Sequence, residues 1–323
     1  MVTRRTVLAA FGAAAATRVT WLRAAASAFE PALYPPMDLS RFDTPVTPAP
    51  AEIRIGYASI TWGGRDTQAI DDIAALGYDG VQLRSNILPE WESRPQALAD
   101  LLAARHLTFV ALSSGSVDLE KPMSGQVAMH VAHASFLRAA RGRYLQITDA
   151  RPKRAIVRAD YERLGKLLTE IGKRTADLGI PLGYHNHMGT LGERAEEVAQ
   201  ILDAADPRYV KLELDIAHYA QGGGDPVKAI RTYADRLLFL HIKDVQDTAS
   251  ESGGSGRSGG TGSYQFVELG RGKVDVKGCF AALRDVKFRG WAVVELDAVP
   301  DKARTPKESA AINKEYLHAI GAL

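Results

Sequence analysis

Pro181-Leu182-Gly183-Tyr184-His185, the stretch Ala195 to Ala204, Val210-Lys211-Leu212-Glu213-Leu214, the stretch Val227 to Tyr233, and Leu237-Leu238-Phe239-Leu240-His241-Ile242 follow one another in the chain. Short apolar runs alternate with longer amphipathic stretches, the order expected of parallel strands covered by helices. Working outward, Ile53 to Ala58, Gly80 to Arg84, Thr108 to Leu112 and Tyr144 to Thr148 read as the first four strands. Thr67 to Leu76, Pro95 to Arg105, Gln126 to Ala140 and Asp160 to Leu178 read as the helices between them. In the last of these, Leu164, Leu167, Leu168 and Ile171 keep a period near 3.6. Helices at Val276 to Arg284 and Lys307 to Ile320 flank an eighth strand, Ala292 to Leu296. Eight strand and helix pairs in about 270 residues predict an α/β fold of the (β/α)8 TIM barrel type. A doubly wound open sheet is disfavoured, because Ser59-Ile60-Thr61-Trp62-Gly63-Gly64 stands where a dinucleotide fingerprint would follow the first strand.

The 323 residues carry 40 Lys plus Arg against 38 Asp plus Glu, a formal charge of +2, which disfavours a dedicated nucleic-acid surface. Hydrophobic residues at 46 % and charged residues at 24 % suit a packed globular domain. The single Cys279 excludes an intrachain disulfide.

Residues 1–28 read as a twin-arginine export signal. Thr3-Arg4-Arg5-Thr6-Val7-Leu8 precedes the weakly apolar run Val7 to Ala16, and Ala26-Ser27-Ala28 offers a cleavage site. The expected partner is the twin-arginine export machinery, and the expected location periplasmic or extracytoplasmic. Residues 29–51 read as a tether, since six prolines fall between Pro31 and Pro50. Residues 52–323 then form one catalytic domain, with no stretch long enough for a stable membrane span. A loop at 248–263 interrupts it: eleven of the fourteen residues from Ser250 to Ser263 are Gly or Ser, so it should be mobile.

Active sites of this architecture lie at the C-terminal ends of the strands. Strand five ends in Tyr184-His185-Asn186-His187, strand six in Glu213-Leu214-Asp215 with His218 beyond, strand seven in His241-Ile242-Lys243-Asp244, and strand eight in Glu295-Leu296-Asp297. Four neighbouring strands each delivering an imidazole or carboxylate to one mouth suggest a divalent cation, because buried charges without partners are expensive. The expected ligands are His185, Asp215, His241 and Glu295, a set that suits Mn, Co, Zn, Fe or Mg ions. His187 is the alternative to His185, since alternate residues of an extended strand face opposite sides. His187, His218, Lys243, Glu268 and Arg271 are expected substrate contacts, with Trp62 and Trp91 as either a wall for a carbohydrate or members of the core. His106, His130, His133 and His318 fall in helical stretches and read as surface or packing residues.

Leu214-Asp215-Ile216-Ala217-His218, Gly224-Asp225-Pro226, His241-Ile242-Lys243-Asp244, the Gly270-Arg271-Gly272 with Val274-Asp275, and Gly290-Trp291 running to Glu295 resemble the sugar phosphate isomerase/epimerase superfamily with the xylose isomerase-like TIM barrel. Gly183 to Thr190 looks more particularly like the branch containing inosose dehydratases. The resemblance implies metal positions at Asp215, His241 and Glu295 and a substrate contact at His218. It also implies a metal-dependent isomerase or epimerase that removes a proton beside a carbonyl, with Glu295, His185 and Lys243 as catalytic groups. His185 stands where the superfamily's epimerases place a glutamate, and Gln82 where many relatives have Glu. Unequal acid and base groups favour the alternative, β-elimination of water. Export points to a non-phosphorylated sugar or keto-polyol substrate. A DNA-cleaving relative needs a basic face that +2 does not supply. The remaining alternative is a periplasmic carbohydrate-binding protein without catalysis.

Overall fold

In the computed structural model, residues 53–248 and 263–323 are described. The export signal and the tether fall outside them, as does the Gly/Ser segment at 249–262. Among the described residues ten strands are present: β1 (Ile53–Ala58), β2 (Gly80–Arg84), β3 (Thr108–Asp118), β4 (Tyr144–Ala150), β5 (Leu182–His185), β6 (Val210–Asp215), β7 (Leu237–Ile242), β8 (Asp244–Thr248), β9 (Ser263–Val267) and β10 (Gly290–Val294). Eight of them close into a parallel barrel in the order β1-β10-β7-β6-β5-β4-β3-β2. The predicted (β/α)8 barrel is therefore the observed fold. Among the described residues no helix is long and apolar enough to cross a membrane.

Two apolar layers hold the barrel. Inside it, Ala58, Val110, Ala111, Phe239, Trp291 and Val293 pack together, while a larger set fills the space between strands and helices. The helix Arg158–Asp177 contributes Leu164, Leu167, Leu168 and Ile171 to that outer layer, all essentially inaccessible, as its period requires. Three superfamily-like motifs prove to be helix starts. Asp225 accepts from Lys228 N before Pro226–Thr232, Asp275 accepts from Gly278 N before Val276–Asp285, and Asp215 caps Ile216–Gln221.

Three elements differ from expectation. β3 runs six residues past Leu112, because a register shift between Ser113 and Ser116, with Gly115 at φ 95°, lets it resume pairing with β4. β10 sits two residues earlier than expected, which leaves Glu295 just past its end. β8 and β9 form an antiparallel hairpin with Asp244 opposite Val267 and Thr248 opposite Ser263. Asp244 anchors the hairpin by accepting from the amides of Val245, Gly270, Gly272 and Val274. A Cβ at Gly272 would lie 2.2 Å from that carboxylate, which is why the Gly-Arg-Gly turn needs glycine there.

His130 and His133 do more than pack. Ser114 Oγ lies 2.6 Å from His130 Nδ1 and 2.7 Å from His133 Nδ1. Burial, with His133 beside it, pushes the His130 imidazole down to about 4. Between that value and the ordinary 6.5, the unfolded chain binds a proton that the folded one refuses. Stability present above pH 6.5 is therefore lost as pH falls toward 4, by on the order of 3 kcal/mol. Urea unfolding at pH 6.5 and 4.5 should show a shallower decline in a His130→Gln variant; an equal decline in both proteins contradicts this.

Candidate active site

The mouth of the barrel is assembled around Asp215. Its Oδ1 accepts from the amides of Ala217 and His218 at 2.9 and 2.8 Å, which fixes the carboxylate as a helix cap. Its backbone is clamped by Asn186, which accepts from Asp215 N and donates to Asp215 O. Oδ2 is left buried with no hydrogen-bond partner, 3.6 Å from His241 Nδ1. His185 Nδ1, Glu213 Oε1 and His241 Nδ1 are also buried and unpartnered. Orphaned polar atoms of this kind are costly unless something absent from the polypeptide satisfies them.

The floor below is a relay of side-chain amides. Gln146 donates to Glu213 Oε2 at 2.8 Å, Gln82 donates to Gln146 Oε1 at 3.1 Å, and His241 Nε2 donates to Gln82 Oε1 at 2.9 Å. With its proton fixed on Nε2, a neutral His241 presents the Nδ1 lone pair toward Glu213, Asp215 and Glu295, at 3.3, 3.6 and 3.4 Å. Glu213 Oε2 also lies 2.6 Å from His185 Nδ1, out of line for a hydrogen bond.

His185, Asp215 and His241 each bring a ligand atom within 4.8 Å of the others, as do Asp215, His218 and Glu295, and His185, His187 and His218. Three of the expected ligands, His185, Asp215 and His241, share one such group. Glu295 belongs to another with Asp215 and His218 and lies 3.4 Å from His241 Nδ1. Mixed nitrogen and oxygen donors of this kind fit a divalent cation of borderline hardness. Partners that fix ligand orientation, here Gln82 on His241 and the two amides on Asp215, are typical of such centres.

Lys243 dominates the charge of the site. Fully buried, its Nζ lies 3.0 Å from Glu295 Oε1, 2.5 Å from Asp297 Oδ1 and 4.0 Å from Asp215 Oδ2. Burial alone would lower its pKa, but Asp297, Glu295 and Asp215 outweigh it and hold the ammonium well above its ordinary range. Burial would likewise raise Glu295 and Asp215; His241 with Lys243 for the first, and Lys243 with the two histidines for the second, place both below theirs. His241 is moved well up, the surrounding carboxylates overcoming burial. His218 is pushed well down by burial and by His187 and Lys243. Its Nδ1 accepts from Met188 N at 3.2 Å, and its Nε2 lies 3.3 Å from Lys243 Nζ and 3.8 Å from Asp215 Oδ2.

Several expectations need correction. His185 and His187 do not face opposite sides. β5 ends at His185, a turn follows at Met188 and Gly189, and both rings enter the cluster, with centroids 5.6 Å apart. Trp62 provides no wall. It is fully buried edge-on to Tyr57, and its indole donates to Asp72. Trp91 is stacked under Arg94. Glu268 is buried and takes Arg304, Ser309 and Arg271 as partners, so its carboxylate is a brace for the C-terminal helix. Arg271 turns to Glu268 rather than to the mouth. The aromatic wall is Phe266 of β9, whose ring lies 4.0 Å from Lys243 Nζ and edge-on to His218, with Tyr264 behind it. His106 is not helical; it follows Pro95–Ala104 in a turn, at φ 56°.

Glu213, Asn186, Gln146 and Asp297 are members of the site that the residue-type search passed over. Alternation along β6 carries the signal for Glu213, two residues before Asp215 and on the same face.

A family model described as xylose isomerase-like TIM barrel matches residues 70–317, well over half of the chain. The chain belongs to the xylose isomerase-like TIM barrel family. Within this family, it is 28 % identical over 293 residues to an inosose dehydratase of Lacticaseibacillus casei, covering 83 % of this chain and 97 % of that one. It is 29 % identical over 304 residues to the rhizopine catabolism protein MocC of Rhizobium meliloti, covering 84 % and 89 %. Among solved structures, the IolI protein with a bound zinc atom superposes with a TM-score of 0.69 at 17 % identity, covering 84 % of this chain and 98 % of that one. A probable 3-DHS dehydratase, AsbF of Bacillus anthracis, superposes at 0.65 and 15 % identity, covering 82 % and 99 %. These two likenesses establish the barrel.

Proposed function

We propose that this family member is a divalent-metal-dependent dehydratase that removes water from the position β to the carbonyl of a non-phosphorylated cyclic polyol ketone. Curated relatives named as inosose dehydratases support elimination over the isomerase or epimerase expected first. One observation carries the reading: the groups flanking the cluster are unlike. His187 Nδ1 donates to Met188 O, leaving the Nε2 lone pair of a partly buried imidazole whose ring lies 3.8 Å from that of His218, while Lys243, 3.3 Å from His218 Nε2, is an ammonium clasped by Glu295 and Asp297. Epimerisation through a symmetric intermediate calls for matched groups; elimination needs a base and an electrostatic partner.

His185, Asp215, His241 and Glu295 would hold a divalent cation, which would supply Lewis-acid polarisation of the carbonyl and so acidify the neighbouring C–H. His187 Nε2 takes that proton, and the electron pair moves onto the carbonyl oxygen as an enediolate facing Lys243. When the pair returns, the β-hydroxyl departs with the proton carried by His187. Water and an unsaturated ketone leave, and the imidazole is again neutral. His218 is a hydrogen-bond partner for a substrate hydroxyl, and Phe266 covers an apolar ring face.

Export through the twin-arginine route, with a periplasmic place of action, is part of the same proposal and accounts for a substrate without phosphate. Incubating metal-loaded protein with a keto-inositol in D2O should give an enone absorbance that rises with Mn²⁺. Solvent exchange at the α-carbon without enone would favour the isomerase; neither, with tight binding, would favour a binding protein.

A further inference from the structure

Across the mouth from the histidine and carboxylate cluster, three neighbouring strands present polar side chains that make no hydrogen bond or ion pair among the described residues. Gln82 and Gln146 face the barrel interior, since both belong to the floor relay. Side chains two residues further along an extended strand share that face. Arg84 at the end of β2 and Thr148 on β4 therefore stand one step nearer the mouth. Between them is Ser113, two residues on from the inward Ala111 and in register with both Arg84 and Gln146.

Among the described residues Arg84 makes no hydrogen bond and no ion pair, and its Nε is buried without a partner. Thr148 Oγ1 is buried and unpartnered as well. The other cation of the mouth, Lys243, is compensated by three carboxylates. A partly buried guanidinium and a buried, unsatisfied hydroxyl are each unfavourable until polar partners meet them. The planar guanidinium offers two parallel N–H donors in one direction, a match for two oxygens held side by side.

We infer that Arg84, with the hydroxyls of Ser113 and Thr148, forms a specificity-determining subsite for the end of the substrate remote from the reacting carbonyl. It reads two adjacent acceptor oxygens, either a carboxylate on the ring or a pair of neighbouring hydroxyls. Only the placing of the reacting end rests on the proposed dehydratase chemistry.

Calorimetric titration of the Mn²⁺-loaded full chain tests this with two probes, a keto-inositol and quinate, a cyclohexane polyol bearing a carboxylate. Arg84→Gln should weaken binding of at least one probe by about ten- to a hundredfold. Thr148→Val should weaken it severalfold, and Mn²⁺ affinity and thermal midpoint should stay within error in both. A loss confined to quinate identifies the carboxylate as the group read; a loss for both probes identifies adjacent hydroxyls. Unchanged affinity in the two folded variants, or no binding of either probe by the unsubstituted protein, overturns the subsite. Enone formation is scored separately, so Arg84-dependent binding without turnover would remove the dehydratase reading and leave the subsite. Turnover with Arg84-independent binding would do the reverse.

Discussion

An Asp215→Ala protein is expected to lose its divalent cation and all measurable turnover. The two oxygens of this carboxylate have separate duties: Oδ1 caps Ile216–Gln221, and Oδ2 is the orphan that faces His241. Alanine removes both. The cap accounts for about 1 kcal/mol of stability. The lost transition-state stabilisation is several kcal/mol, about 10³-fold or more in kcat at 1.36 kcal/mol per decade. Asp215→Asn separates the duties, because its amide oxygen still caps the helix while its NH2 faces the cation. It should keep its denaturation midpoint near the parent's and still bind metal poorly. Metal content by elemental analysis and enone formation check both variants; an active, metal-free Asp215→Ala enzyme would refute the mechanism.

Lys243→Met should cost more in stability than in metal binding. The ammonium is wholly buried between Glu295, Asp297 and Asp215, and breaking a buried ion pair from one side costs about 3–5 kcal/mol. The residual negative charge would attract a cation more strongly, so Mn²⁺ should restore part of the midpoint without restoring kcat. Because Lys243 is held well above its ordinary range, its contribution should not titrate away on the alkaline side at which the fold survives. Urea titrations with and without Mn²⁺ measure the first effect and kcat the second. A variant as stable and as active as the parent would remove Lys243 from both roles.

The barrel was legible because strand and helix periods alternate without ambiguity from Ile53 to Ile320, and the closing strand order follows from that alternation. Strand-end histidines and carboxylates were legible for the same reason: the fold delivers strand ends to one mouth. What escaped reading depends on chain direction after a strand ends. His187 joins His185 beyond the end of β5, where Asn186 is tied to Asp215 and a turn follows at Met188. Glu268 and Arg271 seemed free for substrate because Arg304 and Ser309, which hold Glu268, lie far along the chain. Phe266 was invisible as a wall because the pairing of β8 with β9 spans an insertion. Gln82 and Gln146 carry no charge to draw the eye, and their importance lies in the order in which amide donors and acceptors meet.

The β8–β9 hairpin also makes the lip of the barrel modular. Thr248 and Ser263 are register partners, so the polypeptide leaves and re-enters the hairpin at one rung. Below that rung, Asp244 locks the hairpin to the Gly-Arg-Gly turn through four amides. Closing a connection between fixed neighbouring ends depends only logarithmically on its length; trimming 249–262 to four residues changes that cost by about 1 kcal/mol. Evolution can therefore lengthen, shorten or exchange this segment, and an engineer can splice a new one into it, while Phe266 and Lys243 keep their places.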